Sequence, residues 1–212
     1  MNAVSTTFAC VGACAMYVLT MGVHAQVSLD DIEASIGGRV GELERVEQML
    51  SHPEPNRRIA AMELLLKSGD PEFARKAREF GLFSDDHQLR QAAVRAIFDA
   101  GGAFRLETDA PSDDSTKVVS VVQSFGGAVD SEGKGSIPFI LSGEFDSKEV
   151  CWLRAAARTK QCALRPTGDS IHLADWNYTT GEFKLDDEGS LRGFLLYRGS
   201  GQPVGARIPL LD

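Results

Sequence analysis

Apolar residues recur every three or four positions from Leu29 to Phe98, whereas after Lys117 they come in short runs broken by glycine and aspartate. The first pattern has the period of a helix and the second that of strands, so the chain reads as a helical half followed by a β half. Ser28-Leu29-Asp30-Asp31 has the form of a capping box, and Leu29, Ile32 and Ile36 share the face that follows. Gly37, Gly38 and Gly41 are expected to interrupt or bend this helix. A second run, Val40, Leu43, Val46, Met49 and Leu50, ends at Pro53 and Pro55. Residues 56–68 carry Ile59, Met62, Leu65 and Leu66 and stop at Gly69. Asp70-Pro71-Glu72 opens another helix that runs to Phe80 and meets Gly81, and Ser84-Asp85-Asp86 opens a last one that stops at Gly101.

Thr108 to Thr116 is polar and reads as a connector. Beyond it, strands are expected at residues 117–125, 137–141, 145–153, 161–165, 170–174, 181–185, 191–197 and 203–210, with turns at the glycine- and aspartate-bearing breaks. The expectation is an α+β chain: a short α-helical stack over 26–102, a connector over 103–116, and an antiparallel β domain over 117–212, built as a meander, sandwich or small barrel.

Shifting the chain by 32 residues lays Arg58-Ile59-Ala60-Ala61 over Arg90-Gln91-Ala92-Ala93, and Gly69 over Gly101. This stretch, about 40–102, resembles HEAT-like helical repeats; a plain helical bundle is the alternative. The resemblance implies an extended interaction surface with no built-in catalytic group. Such repeats bury their apolar faces only against neighbours, and about three are needed for stability. Two are too few, so the β half or a partner is expected to pack against them.

The stretch from Phe8 to Val23 is apolar apart from Thr20, and Met1 to Ala25 holds no Lys, Arg, Asp or Glu. It reads as a secretory leader cleaved after Ala25, at 1–25, although the basic start of such leaders is missing and an uncleaved anchor is the alternative. A leader places the protein in the periplasm or outside the cell, with no stable membrane span once it is removed. Cys10 and Cys14 fall inside this run, which leaves Cys151 and Cys162 as a lone pair. In an oxidising compartment that pair is expected to be a disulfide.

The 212 residues carry 22 basic and 30 acidic side chains, a net charge of -8. The excess is shared evenly, 10 basic against 14 acidic in 26–102 and 12 against 16 after it, so neither half offers the basic face that nucleic acid or anionic lipid requires.

Candidate chemistry is sparse. His52, His87 and His172 lack companions at metal-ligand spacing, and no metal or cofactor is expected. Gly135-Ser136 and Gly199-Ser200-Gly201 lack the frame of a nucleophile elbow and read as turns. Asp186 to Gly189 reads as a hairpin turn, while carboxylates such as Asp169, Asp175 and Asp187 leave an acid-dependent hydrolase as a third reading. Trp176 and Tyr178, beside Asp175, are placed on one side of an extended strand, where they offer a platform for a sugar or peptide. The leading expectation is an exported, non-enzymatic protein-interaction or scaffold protein with a protein partner. A carbohydrate- or small-ligand-binding β domain supported by the helices is the runner-up.

Overall fold

The structure is a computed structural model that describes residues 28–109, 115–155, 159–174, 176, 178–197 and 202–211, the side chains of 115–118 excepted. It divides into two units, Met1–Val40 and Gly41–Asp212. The leader reading at 1–25 lies outside the described residues.

Helix α1 (Leu29–Leu50) begins in the first unit. Its capping box is formed: the Ser28 hydroxyl accepts from the Asp31 amide at 3.1 Å, and the Asp31 carboxylate accepts from the Ser28 amide at 3.3 Å and from its hydroxyl at 2.8 Å. The three glycines do not break the helix: the 22 residues keep an unbroken helical pattern through them.

In the second unit, α2 (Pro55–Leu66), α3 (Pro71–Leu82) and α4 (His87–Ala100) pack pairwise against one another. The start signals act as the sequence suggests: the Asp70 carboxylate accepts from the Glu72 and Phe73 amides, and that of Asp86 from the Gln88 and Leu89 amides. The helices meet at Met62, Ala77, Gly81 and Ala93, all small or pliable, with Met62 and Ala93 fully buried. Arg58 and Arg90, superposed by the 32-residue shift, each donate to two main-chain carbonyls: Arg58 to His52 and Pro53, Arg90 to Leu185 and Asp186.

The β half is a closed, antiparallel barrel of eight strands plus one extra strand. In chain order these are β1 (Gly102–Thr108), the short β2 (Ala128–Val129), β3 (Gly135–Asp146), β4 (Cys151–Arg154), β5 (Cys162–Thr167), β6 (Ser170–Leu173), β7 (Thr179–Leu185), β8 (Ser190–Tyr197) and β9 (Val204–Pro209). β3 to β9 form a meander, and β1 closes it by pairing with both β9 and β3; β2 is the extra strand, paired on β3. The interior is packed. Leu106, Ile137, Leu141, Trp152, Leu164, Phe183, Leu191 and Ile208 are each at most 2% exposed, as expected of an eight-stranded barrel just wide enough for its own side chains.

Three expected elements differ. The strand expected at 145–153 is divided by a turn at 147–150 into the end of β3 and the start of β4. Residues 103–108, assigned to the connector, belong to β1, where Leu106 and Thr108 point inward and both are buried. Residues 117–125, expected as a strand, lie largely in helix α5 (Ser115–Ser124). The valines at 118, 119, 121 and 122 are spaced one, three and four apart, which suits a helix face; a half-buried strand would have alternated, and Ser120 breaks that alternation. Val121 and Val122 are buried.

α4 runs directly into β1. Gly101 takes φ +70° and Gly143 φ +77°, and a Cβ on Gly101 would stand 2.7 Å from the Gly143 amide nitrogen. The end of the helix and an irregularity in β3 between Leu141 and Phe145 therefore touch backbone to backbone. Beside this contact the Phe98 ring meets the rings of Phe104 and Trp152 edge-on at 5.2 and 5.1 Å, and the Trp152 indole N–H donates to Asp99 at 2.7 Å. The helices of the second unit are thus fastened to the barrel by aromatic packing, by the part-buried Trp152–Asp99 hydrogen bond and by the two bonds that Arg90 donates.

Candidate functional site

The aromatic pair singled out in the sequence does not form a platform. Trp176 is 2% exposed, its indole N–H donating to the Ala163 carbonyl at 2.7 Å and its ring held among Phe125, Phe139 and the Arg154 guanidinium. Tyr178 is 68% exposed and has φ +68°. The chain is not extended here: the Thr179 amide donates to the Trp176 carbonyl at 2.7 Å, a tight turn that sends the two side chains apart. Asp175 lies outside the described residues.

Cys151 and Cys162 are disulfide-bonded, with Cα atoms 5.6 Å apart. They join β4 to β5 and pack with Leu153 and Ala174 in a small cluster separate from the main core. The bond closes the segment between two adjacent strands, as its sequence spacing suggests.

Of the other sequence candidates, Asp186, Gly135 and His52 have structural partners. The Asp186 carboxylate accepts from the Glu188 and Ser190 amides, both at 2.9 Å, which makes the segment a hairpin turn. Gly135-Ser136 begins β3 rather than forming a turn, because Gly135 is clamped between Thr108 and Val122. Gly199, Ser200 and Gly201 lie outside the described residues. His52 accepts from the Glu54 amide at 3.1 Å, and His172 is on β6. Among the described residues no three His, Cys, Asp or Glu side chains gather in a group that could hold a metal ion.

The concavity that sequence reasoning missed lies between α4 and the barrel end carrying the β5–β6 and β7–β8 turns. It has a volume of about 440 Å³. α4 contributes His87, Gln88, Arg90, Gln91, Val94 and Arg95, and the barrel contributes Trp152, Asp169, Ser170, Ile171, Lys184, Leu185 and Leu191. Its size falls within the range of small-molecule sites. Its walls are divided: apolar side chains on the barrel side, and two arginines and a lysine at the rim.

Each of these cations is held in place. Arg90 donates to the Leu185 and Asp186 carbonyls at 3.4 and 3.2 Å, and stands 3.6 Å from the fully exposed Asp187. The Arg95 guanidinium lies 4.9 Å from the centre of the Phe145 ring and 3.8 Å from Asp99. Lys184 pairs with Asp169 at 3.5 Å. The exposed N-terminal amides of α4 contribute little to the field here, because Asp86 already caps two of them.

The signal for this site was dispersed. Arg90, Arg95 and Lys184 lie up to 94 positions apart, and only the seating of α4 on the barrel end brings them together.

Comparison with known proteins finds nothing. No family model matches the chain, and neither a curated protein nor a solved structure resembles it significantly.

Among the described residues no helix is long and apolar enough to cross a membrane. The disulfide is compatible with an oxidising compartment.

Proposed function

We propose that this is an exported, non-enzymatic interaction protein whose partner is a protein, with the helical half read as a short HEAT-like stack. The observation that carries the proposal is the bare face of α1. Leu29, Ile32, Ile36 and Val40 follow one another at helical spacing, and they are 78, 42, 57 and 49% exposed. A contiguous apolar strip of this kind, flanked by Asp30, Asp31 and Glu33, fits an apolar groove with a basic rim on a partner. Moving each of these side chains to full burial is worth about 1 kcal/mol, so the four contribute about 4 kcal/mol toward the cost of association, and contacts on the partner must supply the rest.

The test compares the full chain with an Ile32→Asp, Ile36→Asp variant by crosslinking in the native envelope followed by mass spectrometry. Both positions are exposed, so circular dichroism should be unchanged. A partner captured by the parent chain and lost from the variant supports the proposal; identical capture overturns it. Sequencing the N-terminus of the isolated protein checks export: a start at Gln26 is the expected result.

A second reading, a small-ligand-binding protein, is favoured by the cleft between α4 and the barrel. It replaces the Trp176–Tyr178 platform as the place where such a ligand would sit.

A further inference from the structure

We propose that the cleft between α4 and the barrel binds a small organic anion, an apolar body carrying a carboxylate. The inference rests on the ligand-binding reading and adds the charge class of the ligand.

The chain as a whole carries eight more acids than bases, yet the residues lining this cleft include Arg90, Arg95 and Lys184 against the single acid Asp169. The lining is richer in cations than the molecule as a whole, with Asp187 and Asp99, the counter-ions of Arg90 and Arg95, standing outside it, and a concave wall strengthens the field of such cations.

Geometry gives the rest. Arg90 is held from behind by two carbonyls, which fix its guanidinium without neutralising it. Asp187, its nearest acid, is fully exposed at 3.6 Å and screened by water, so it is easily displaced by a better-placed oxyanion. The side chains of Arg95 and Lys184 are 60 and 58% exposed, so a ligand oxyanion competes with Asp99 and Asp169 for them in water-screened pairs. A planar guanidinium matches a carboxylate with two parallel N–H donors. Ala92, Pro166 and Leu185, all half-buried, then offer apolar surface to the remainder of the molecule, with Trp152 behind them. A volume of about 440 Å³ accommodates a one-ring carboxylate and excludes a polymer segment from being enclosed.

The probe is 3-phenylpropionate, with its neutral amide as the comparison, titrated calorimetrically into the full chain. Two-dimensional NMR of the two indole N–H signals reports location, since Trp152 lines the cleft and Trp176 is buried elsewhere among Phe125 and Phe139. The expected result is saturable binding of the carboxylate, with the Trp152 signal moving and that of Trp176 still. Removing two exposed cations as Arg95→Gln and Lys184→Gln should weaken binding about tenfold or more. If the amide binds as tightly as the carboxylate, the anion inference falls while the ligand-binding reading stands. If neither binds at millimolar concentration, or the charge variant binds unchanged, the inference is overturned. Phenyl phosphate as a third arm decides between oxyanions: tighter binding than the carboxylate would overturn the carboxylate assignment.

Discussion

Gly81→Ala tests the three-helix crossing, because two known effects oppose each other there. Alanine is favoured over glycine in a helix interior by about 1 kcal/mol, so the substitution on its own should stabilise α3. A Cβ built at this position, however, stands 2.5 Å from the Ala93 Cβ and 2.5 Å from the Met62 sulfur. Ordinary contact between such atoms is about 3.5 to 4.0 Å, so roughly 1 Å must be found. Met62 can swing its thioether aside, but the Ala93 Cβ is fixed to the α4 backbone and cannot rotate away. Overpacking of this kind costs about 1 to 3 kcal/mol. The clash therefore outweighs the propensity gain, and the net expectation is a loss of up to about 2 kcal/mol, or up to about 8 °C in Tm for a chain of this length. Thermal and urea unfolding followed by circular dichroism would measure it. Gly41→Ala in α1, where the added Cβ meets nothing within 4 Å, is the matched control and should gain up to about 1 kcal/mol. Combining Gly81→Ala with Ala93→Gly should recover part of the loss, a positive coupling that distant sites lack. A Gly81→Ala protein as stable as the Gly41→Ala protein would refute the close approach of α3 and α4.

Replacing both Cys151 and Cys162 by alanine removes the closure of an 11-residue separation and should cost about 3 kcal/mol, read as a lower urea midpoint; loss of less than 1 kcal/mol would mean the strands are held in register without it. Asp99→Ala leaves the indole N–H of the buried Trp152 without its acceptor, and should destabilise by about 2 kcal/mol, whereas an unchanged midpoint would show that the α4–barrel contact does not depend on this bond. The Asp146 carboxyl is held below its ordinary pKa by the Glu149 and Lys148 amides that donate to it. A lowered folded-state pKa contributes stability above the unfolded value and loses it as pH falls through the folded one, so in an NMR titration Asp146 should stay charged after solvated aspartates have begun to protonate. Titration at the ordinary value would show the turn after β3 to be open in solution.

The helical half was legible because its punctuation is chemical. Asp70 and Asp86 cap helices because their carboxylates accept main-chain amides, and no distant residue is needed for that. Closure of the sheet was not legible in the same way. The pattern admitted a meander, a sandwich or a barrel, and the choice lies in the pairing of β1 with β9 and β3, between segments far apart in the chain. β1 itself was missed because its seven residues sit between a helix stop and a polar run, with Leu106 and Thr108 as the inward marks. The valines of α5 were read by β propensity, which their spacing contradicts. For the site, Trp176 and Tyr178 looked like a pair because alternation was assumed across a segment that turns. The cleft needed tertiary structure, since Arg95 and Lys184 become neighbours of one cavity only when α4 lies across the barrel end.

The double pairing of β1 sets an order of events in folding. Arg207 and Glu107, partners across β9 and β1, are 100 positions apart. The helices and their junction with β3 and β4 draw on residues before 155, and can be complete while residues 204–209 have yet to engage. Until those six residues arrive, β1 and β8 each present an unpaired edge, a template for joining another chain. Such long-range closure is slow relative to local helix formation. A chain cut before Val204 would therefore keep its helical part and lose its solubility. The six-residue span of β9 acts as the latch that converts an aggregation-prone open sheet into a closed barrel.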